Sequence, residues 1–464
     1  MHTIATALPF SLALGKIEVT PSGRFVRVEL AKLYVVILYD GSHEVKVEIP
    51  DKYRNRMCGL GGNYNGMEND DFLLPNGNIA SNWNDFGNSW ETDTSSAWGD
   101  PHYTTFDGRE HHFQGPCRYT FAKDCGNTSD FNVEVQQVPV NPTVSVVREV
   151  YVMAYGYEIG ILQGKVVTVS GFPSTLPFSL ALGKIKVTLS GRFVRVELAE
   201  LYVVILYDGS HEVKVEIPDK YRNRMCGLGG NYNGMENDDF LLPNGNIASN
   251  WNDFGNSWET DSNAYVTCHG DPPTGPPPTQ GPCNQTYSDP CDVLTDSPGP
   301  FTTCHGVVDP QLYLRTCVFD TCATSGQEEY LCANLEAYYD SCRGAGVSPF
   351  TWRTSDLCPM DCPANSTYSS CTSACPSTCV NPSASDNCTL PCVEGCECNP
   401  GYVLSGLDCV PIEDCVKVGV PRSAVAGASV GVAVLLILLI VAVVLVKTRG
   451  CLACGRKKLD NSEA

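Results

Sequence analysis

A short polar loop near the middle of the chain has the residue types of a cation site. Side-chain oxygens recur along it, between glycines that favour turns, at Asn231, Asn233, Asn237, Asp238 and Asp239. Oxygens at alternate positions followed by two carboxylates suit a hard cation that takes about six to eight oxygen ligands. The loop therefore predicts a calcium site, and the alternative is a solvated acidic loop. The same loop occurs earlier in the chain at Asn63, Asn65, Asn69, Asp70 and Asp71.

The segment Gly99-Asp100-Pro101-His102 offers a second kind of chemistry. An Asp-Pro peptide bond is intrinsically labile, because the aspartate carboxylate can attack its own carbonyl carbon while the proline nitrogen leaves once it is protonated. The segment predicts either single-turnover self-cleavage between Asp100 and Pro101 or a purely structural start of a β-strand. No serine–histidine–acid pattern or phosphate loop accompanies it, so we expect a protein that is not an enzyme.

The cysteine content indicates the compartment. The chain has 25 cysteines, and only Cys451 and Cys454 follow the uncharged stretch Ala424–Val446. Such density is typical of disulfides made in an oxidising compartment. A shared zinc site at His102, His111 and His112 is disfavoured, because adjacent side chains on a strand point to opposite faces.

The stretch 424–446 is long and apolar enough to cross a bilayer as a helix. The basic residues after it predict a cytoplasmic tail at 447–464, since positive charge favours the cytoplasmic side. We therefore expect a single-pass type I protein of the plasma membrane with an extracellular ectodomain. The net charge of −21 disfavours nucleic acid as a partner. Met1–Leu8 lacks the basic start of a signal peptide, so we expect the natural protein to begin further upstream.

An internal repeat organises the ectodomain. Residues 8–93 recur almost unchanged at 176–261, and residues 98–175 precede only the second copy, so residues 1–93 are interpreted as the C-terminal half of a module. Lys184–Leu189 and Glu212–Ile217 alternate apolar and polar residues, and Leu201–Tyr207 is apolar throughout, which predicts antiparallel strands. A proline-rich linker at 269–282 precedes a helical pattern at Glu328–Cys342. Residues 362–415 contain ten cysteines and little periodicity.

Three groups of motifs resemble a known modular family. Trp98–Tyr103, Thr105–Gly108, Phe113–Cys117 and Cys226–Asn231 together resemble the von Willebrand factor type D (VWD) domain. Residues 283–358 are similar to the eight-cysteine (C8) module that follows it in the family, and residues 359–415 resemble the trypsin-inhibitor-like (TIL) module. The expected fold is mainly β. It combines a β-sandwich-like VWD domain at 98–268, small disulfide-rich helical and loop modules, and a single C-terminal transmembrane helix.

The resemblance carries residue-level expectations. It implies the disulfides Cys117–Cys268 and Cys125–Cys226, and it leaves Cys58 of the partial copy without a partner. It also adds the side chain of Asp107 and the backbone of Met235 to the predicted calcium ligands, which already include Asn231, Asn233, Asp238 and Asp239. Some members of the family cleave themselves at Gly-Asp-Pro-His. Because neither implied disulfide spans that bond, we expect cleavage to release residues 1–100 without reductant.

The resulting prediction is a membrane-anchored, calcium-binding extracellular glycoprotein with a structural or adhesive role in mucus-like layers, extracellular matrix, or cell–matrix and gamete contact. Its expected partners are extracellular glycoproteins or matrix, and self-association is left open. One alternative is serine protease inhibition by the TIL module through the segment between Cys388 and Cys392. Another is a receptor for immunoglobulin or a second soluble glycoprotein. Sequons predict glycosylation at Asn127, Asn284, Asn365 and Asn387.

Overall fold

The structure is a computed structural model. It describes residues 10–12, 17–22, 24–30, 35–39, 45–50, 92–260, 268, 270–271, 273, 283–388 and 390–416. The chain divides into two compact units, one with residues up to 188 together with 193–359, and one with the remainder. The described residues are mainly β, with few helices and many disulfides, as the sequence predicts.

The first copy of the repeat forms a five-stranded antiparallel sheet. Its strands are β1 (Phe10–Leu12), β2 (Ile17–Ser22), β3 (Phe25–Leu30), β4 (Val35–Tyr39) and β5 (Val45–Glu48), and they pair in sequence order. Cys58, the first polar loop at Asn63–Asp71 and the rest of 51–91 lie outside the described residues.

The complete VWD region contains two larger antiparallel sheets. In chain order the strands are β6 (Thr92–Trp98), β7 (His102–Thr104), β8 (Glu110–His111), β9 (Arg118–Asp124), β10 (Phe131–Pro139), β11 (Ser145–Ala154), β12 (Tyr157–Leu162), β13 (Val166–Val169), β14 (Phe172–Ser174), β15 (Phe178–Leu180), β16 (Ile185–Ser190), β17 (Phe193–Leu198), β18 (Val203–Tyr207), β19 (Val213–Pro218) and β20 (Met225–Cys226). One sheet has the order β15-β16-β17-β18-β19-β6-β7-β8 and the other β14-β13-β12-β11-β10-β9-β20.

Apolar periodicity explains the sheet that contains β18 and β19. Val203 and Ile205 of β18, and Val213 and Val215 of β19, are fully buried. The two strands are joined through Asp208, whose Oδ1 accepts hydrogen bonds from three consecutive backbone N–H groups and so fixes the turn. The three strands predicted in this part of the repeat are confirmed, with ends shifted by one or two residues.

Strand β6 begins at Thr92, inside the range that the sequence analysis gave to the first copy. It pairs with β19 on one side and with β7 on the other, so it is an interior strand of the complete domain. Tyr207 of the same sheet donates a hydrogen bond to the carbonyl of Val147 in the other sheet, at 3.0 Å. This bond joins the two buried faces.

Helices dominate the C8 region. A short helix α1 (Trp251–Asn256) closes the VWD region, and α2 (Gln285–Ser288), α3 (Gln311–Ala323) and α4 (Glu328–Gly344) follow. Helix α4 confirms the helical pattern predicted there. The eight cysteines of the region pair internally as Cys283–Cys322, Cys291–Cys317, Cys304–Cys342 and Cys332–Cys358. Trp98 of β6 belongs to the same buried cluster as the C8 core.

The second unit contains two small two-stranded antiparallel sheets and five disulfides. Its strands are β21 (Ser366–Thr372), β22 (Val393–Cys398), β23 (Tyr402–Ser405) and β24 (Asp408–Pro411). Cys388 and Cys392 are bonded to Cys375 and Cys371 respectively, not to each other. The segment suggested for protease inhibition is therefore anchored at its two ends by separate bridges.

Within the described part of the chain, no helix is both long and apolar enough to cross a membrane. The predicted span at 424–446 and the tail at 447–464 lie outside the described residues, as does most of the linker at 269–282.

Candidate functional site

The β7–β8 turn and the loop after β20 meet at Asp107. Its Oδ2 accepts a hydrogen bond from the backbone N–H of Asn233, and its Oδ1 accepts one from Gly234, both at 2.8 Å. These bonds place a carboxylate from one turn directly against the polar loop. Asp107 and Asn233 are thus brought together although 126 positions separate them.

Asp239 lies at the buried end of the same loop. Its Oδ2 accepts a hydrogen bond from the Thr105 hydroxyl at 2.6 Å, and its Oδ1 accepts one from the Asn231 N–H at 3.1 Å. Burial raises the pKa of Asp239 to about 6, and the neighbouring Asp107 carboxylate adds to this rise, while the bonds from Thr105 and Asn231 oppose it. The carboxylates of Asp107 and Asp239 therefore repel each other where they are partly shielded from water.

Asp238 is surrounded by amides. Asn231 donates to its Oδ1 at 2.9 Å, and the side-chain amide of Asn233 contacts both of its carboxylate oxygens at 2.9–3.0 Å. The Oδ1 atom of Asn231 is buried and accepts no hydrogen bond from the residues that the structure describes. A buried oxygen without a partner is costly, and a cation would both satisfy it and offset the repulsion between Asp107 and Asp239. The residues present fit a hard cation.

Arg109 closes the outer side of this loop. Its guanidinium donates to the carbonyls of Glu236 and Asn237 at 3.2 and 3.1 Å and lies 3.4 Å from the centre of the Phe240 ring. Asn237 thus meets Arg109 through its main chain. Sequence reasoning missed Arg109 and Thr105, although both lie within two residues of Asp107 and their proximity to the motif is a usable signal.

The Asp-Pro bond lies in the tight hairpin between β6 and β7. Trp98 and His102 face each other in the strand register, so Gly99, Asp100 and Pro101 form the turn. The turn is buried because Trp98 stacks on Tyr313 of α3, with ring centres 5.6 Å apart. The C8 helices therefore cover the bond that sequence chemistry marks as labile.

A buried group of two carboxylates and one imidazole surrounds this turn. His102 Nε2 lies 2.5 Å from Asp320 Oδ1 and 2.9 Å from Asp100 Oδ1, and all three side chains are almost completely buried. Asn334 of α4 donates to the other Asp320 oxygen at 2.7 Å. The single N–H at His102 Nε2 serves Asp320, and neither Asp100 oxygen accepts a hydrogen bond from the described residues.

The pKa shifts of Asp100, His102 and His112 indicate which of these groups favour their protonated forms. Burial raises the pKa of Asp100 well above its usual range, and the negative charge of Asp320 raises it further. Burial opposes a charge on His102, but Asp320 and Asp100 outweigh it and bring the pKa to about 10. Burial and the charge of His102 lower the pKa of His112 to about 2. The raised pKa of Asp100 favours its protonated form, and cationic His102 donates from Nδ1 to neutral His112 at 2.6 Å.

The spacing of this group favours a shared proton over a shared metal ion. Two ligand atoms on one tetrahedral ion at about 2.0–2.1 Å would lie roughly 3.3 Å apart, longer than the 2.5 and 2.9 Å contacts of His102. His111 points the other way, stacking on Tyr103 at 4.6 Å and bonding the Leu228 carbonyl. The prediction that the adjacent histidines face apart is confirmed.

Gln114 acts on the carbonyl of the Asp-Pro bond itself. Its Nε2 donates a hydrogen bond to the carbonyl oxygen of Asp100, and its Oε1 accepts one from the backbone N–H of Ser145 at 2.7 Å. The side chain is thus held in place from the second sheet. Sequence reasoning missed Gln114 and Asp320. The signal for Asp320 is its position on the buried face of α3, in line with Tyr313, Thr316 and Cys317.

The remaining site residues are placed as follows. Disulfides join Cys117 to Cys268 and Cys125 to Cys226. Glu259 lies beside the first of these, whose bonded sulfurs are not thiolate metal ligands. Of the sequon asparagines, Asn127, Asn284 and Asn365 are exposed, and the side chain of Asn387 lies outside the described residues.

Comparison with known proteins divides the chain into the same three regions, VWD, C8 and TIL. Residues 2–78 and 95–246 match the von Willebrand factor type D domain, residues 290–359 the C8 domain, and residues 362–415 the trypsin-inhibitor-like cysteine-rich domain. Three curated relatives show the extent of the similarity. They are zonadhesin of Sus scrofa (38% identical, 69% of this chain and 13% of the relative), human IgGFc-binding protein (39%, 69% and 6%) and human alpha-tectorin (39%, 70% and 16%).

The chain thus spans only 6–16% of the length of these relatives. The matches nevertheless place three domain types in the same order as the motifs, the sheets and the disulfides do. The chain belongs to the family of proteins that combine von Willebrand factor type D, C8 and trypsin-inhibitor-like domains.

Proposed function

We propose that this chain is part of a membrane-anchored, calcium-binding extracellular glycoprotein with a structural or adhesive role. Its disulfides support secretion into an oxidising compartment, because such bonds are rare in the cytosol. The apolar stretch 424–446 and the exposed sequons support a glycosylated ectodomain on a membrane anchor. Family members named for adhesion or for binding another protein support the adhesive role.

Calcium is the part of this proposal that the geometry supports best, and one observation carries it. The buried Asn231 Oδ1 has no hydrogen-bond partner among the described residues and lies beside the meeting point of Asp107, Asp238 and Asp239. Bound calcium would supply charge neutralisation and hold the β7–β8 turn to the loop after β20. The role of the ion would be structural, as a tie between two turns of one domain.

Calcium titration of the full chain tests this. Because the ion binds the folded state, we expect the melting temperature to rise with calcium concentration, and the double variant Asp238→Ala, Asp239→Ala to lose that response. The double variant Asp292→Ala, Asp296→Ala removes two exposed carboxylates elsewhere and should respond like wild type. Identical melting of wild type and loop variant at every calcium level would reduce the loop to an acidic surface.

We propose self-cleavage at Asp100–Pro101 as a second function. The observation that favours it is the hydrogen bond from Gln114 to the Asp100 carbonyl oxygen beside a buried Asp100 carboxyl, whose pKa is raised well above its usual range by burial. An Asp100 carboxyl oxygen attacks its own carbonyl carbon and closes a five-membered anhydride. The carbon–nitrogen bond to Pro101 breaks, and the carboxyl proton ends on the proline nitrogen. Water then opens the anhydride to two carboxyl groups. Gln114 stabilises the charge that develops on the carbonyl oxygen.

The chain carries its own controls for this reaction. Asp271-Pro272, Asp289-Pro290 and Asp309-Pro310 are also Asp-Pro bonds, but their aspartates are exposed. On incubation near pH 6, we expect a fragment that begins at Pro101, and none that begins at the other three prolines. Asp100→Ala should stay whole, and Gln114→Met should cleave about 10²–10³-fold more slowly. A chain that stays intact for days, or equal cleavage at all four Asp-Pro bonds, would contradict the proposal that the fold promotes cleavage at Asp100–Pro101.

A further inference from the structure

The turn that carries the Asp-Pro bond is completed by a second domain. Asp320 comes from α3 of the C8 region, and Asn334 of α4 donates a hydrogen bond to the Oδ2 atom of Asp320. Gly99 lies so close to Asp320 that an added Cβ would overlap its Oδ2 atom. The VWD region supplies the bond, Gln114 and His102, whereas the C8 region supplies the second carboxylate.

The number of hydrogen atoms decides what Asp320 does. His102 Nε2 carries a single N–H and faces two carboxylates, and it donates to Asp320. Asp100 Oδ1 lies 2.9 Å from the same nitrogen but accepts no hydrogen bond from the described residues, and the charge of Asp320 favours the protonated form of Asp100. If Asp320 lost its charge, the same N–H would turn to Asp100, and Asp100 would ionise as the partner of cationic His102. The attacking group would then be held in an ion pair and would have no proton to give to Pro101.

We infer that Asp320 is a positioning residue for cleavage at Asp100–Pro101, so that the bond breaks efficiently only while the C8 helices are docked on the hairpin. This inference rests on the proposed self-cleavage. Asp320 does not touch the reacting atoms. It acts through His102, by occupying the N–H that would otherwise bind Asp100. Cleavage is thereby coupled to the folding of the following domain.

Every titratable group facing Asp100 bears on the pH dependence. His102 and Asp320 contact the turn directly, His112 lies behind His102, and Tyr330 of α4 lies within electrostatic range of Asp100. Asp320 raises the pKa of Asp100, so its removal should lower that pKa and require more acid to form the reactive carboxylic acid. At a pH above the pKa of Asp100, each unit by which that pKa falls cuts the protonated fraction of Asp100 about tenfold.

The rate of appearance of the Pro101 fragment in the full chain, measured from pH 4 to pH 8 (roughly the range over which the acid form is lost), tests the inference. We expect Asp320→Asn to shift the rate profile towards lower pH and to slow cleavage at neutral pH by at least about tenfold. Asp320→Glu keeps the charge and should restore most of the wild-type profile. Asp340→Asn is the matched control, because Asp340 forms another contact between the two regions, 2.6 Å from Lys214, away from the turn.

The outcomes separate the two proposals. A wild type that never cuts at Pro101 contradicts self-cleavage itself, and the role of Asp320 with it. A wild type that cuts, together with an Asp320→Asn profile that does not move, overturns only the role of Asp320. Equal slowing by Asp340→Asn also overturns it, because docking alone would then explain the loss. If Asp320→Asn fails to fold, Asn334→Ser, which releases one Asp320 oxygen, should give a smaller shift in the same direction.

Discussion

Gly99 is the residue on which the Asp-Pro turn depends most directly. Its φ of +63° is strained for any residue with a Cβ, and the Asp320 carboxylate fills the space that a Cβ would need. We predict that Gly99→Ala lowers the melting temperature more than Gly156→Ala. Gly156 also has a positive φ, of +81°, but a Cβ there would meet no atom within 4 Å.

The control separates two costs at this position. Gly156→Ala should cost about 1–2 kcal/mol for the backbone alone, and Gly99→Ala should cost roughly 1–3 kcal/mol more, because Asp320 is held by His102 and Asn334 and has little freedom to move. Thermal melting of both variants without calcium measures the difference. Equal losses would mean that Asp320 yields easily and does not constrain the turn.

Residues of the candidate sites differ in how visible they are in the sequence. Asn231, Asn233, Asp238 and Asp239 lie in one loop, so spacing alone brings them to attention. Asp320 lies 218 positions from His102, and nothing in local periodicity connects them. A lone aspartate on an otherwise buried helical face is the available hint, because a buried carboxylate needs a partner. The sequence therefore predicts that Asp320 has a partner, but it does not identify His102 as that partner.

At the scale of elements, the strands with strong apolar patterns were predictable and β6 was not. The sequence Thr92–Trp98 is mostly small and polar and does not alternate in hydrophobicity. It is a strand because β19 and β7 offer hydrogen-bond partners on both sides and because Trp98 fits into the C8 core. The conformation of β6 is thus set by its tertiary contacts and not by the strand propensity of its own residues.

The helices show the same contrast. In α4, Leu335, Tyr338, Tyr339 and Cys342 recur at helical spacing and are all buried, which made this helix evident. In α3 the buried positions include Thr316, Asp320 and Thr321, and two cysteines are committed to disulfides. Disulfides and polar partners fix α3, so an analysis based on hydrophobic periodicity had little to detect.

Across the whole molecule, the repeat separates local strand formation from burial. Val45 and Val47 of β5 are 61% and 56% exposed, whereas their counterparts Val213 and Val215 are fully buried. The five strands pair in the same order in both copies, so strand formation needs only the repeated sequence. Burial needs the additional partners that β6 and the second sheet supply to the complete copy.

The fate of the two pieces after cleavage is a property of the whole domain. No disulfide of the described residues joins the chain before Pro101 to the chain after it, which by itself would allow residues 1–100 to be released. However, β6 pairs with β19 from Thr92 opposite Pro218 to Ala97 opposite Val213, and Trp98 is buried in the C8 core. Burial of one tryptophan alone contributes roughly 4–6 kcal/mol. The disulfides of the described residues therefore still predict separation without reductant under denaturing conditions, whereas we expect the pairing and burial of β6 to hold the two pieces together in native buffer.

We predict that the cleaved chain elutes as a single species in native gel filtration and separates into two fragments on a denaturing gel without reductant. Trp98→Ala removes the contact with Tyr313 while leaving the β6–β19 pairing, and it should release the N-terminal fragment under native conditions, or at a lower urea concentration than the otherwise unchanged cleaved chain. Release of wild-type residues 1–100 in native buffer would show that pairing and burial of β6 do not survive the cut. Separation on the denaturing gel only after reduction would reveal a bridge from Cys58 to the remainder of the chain.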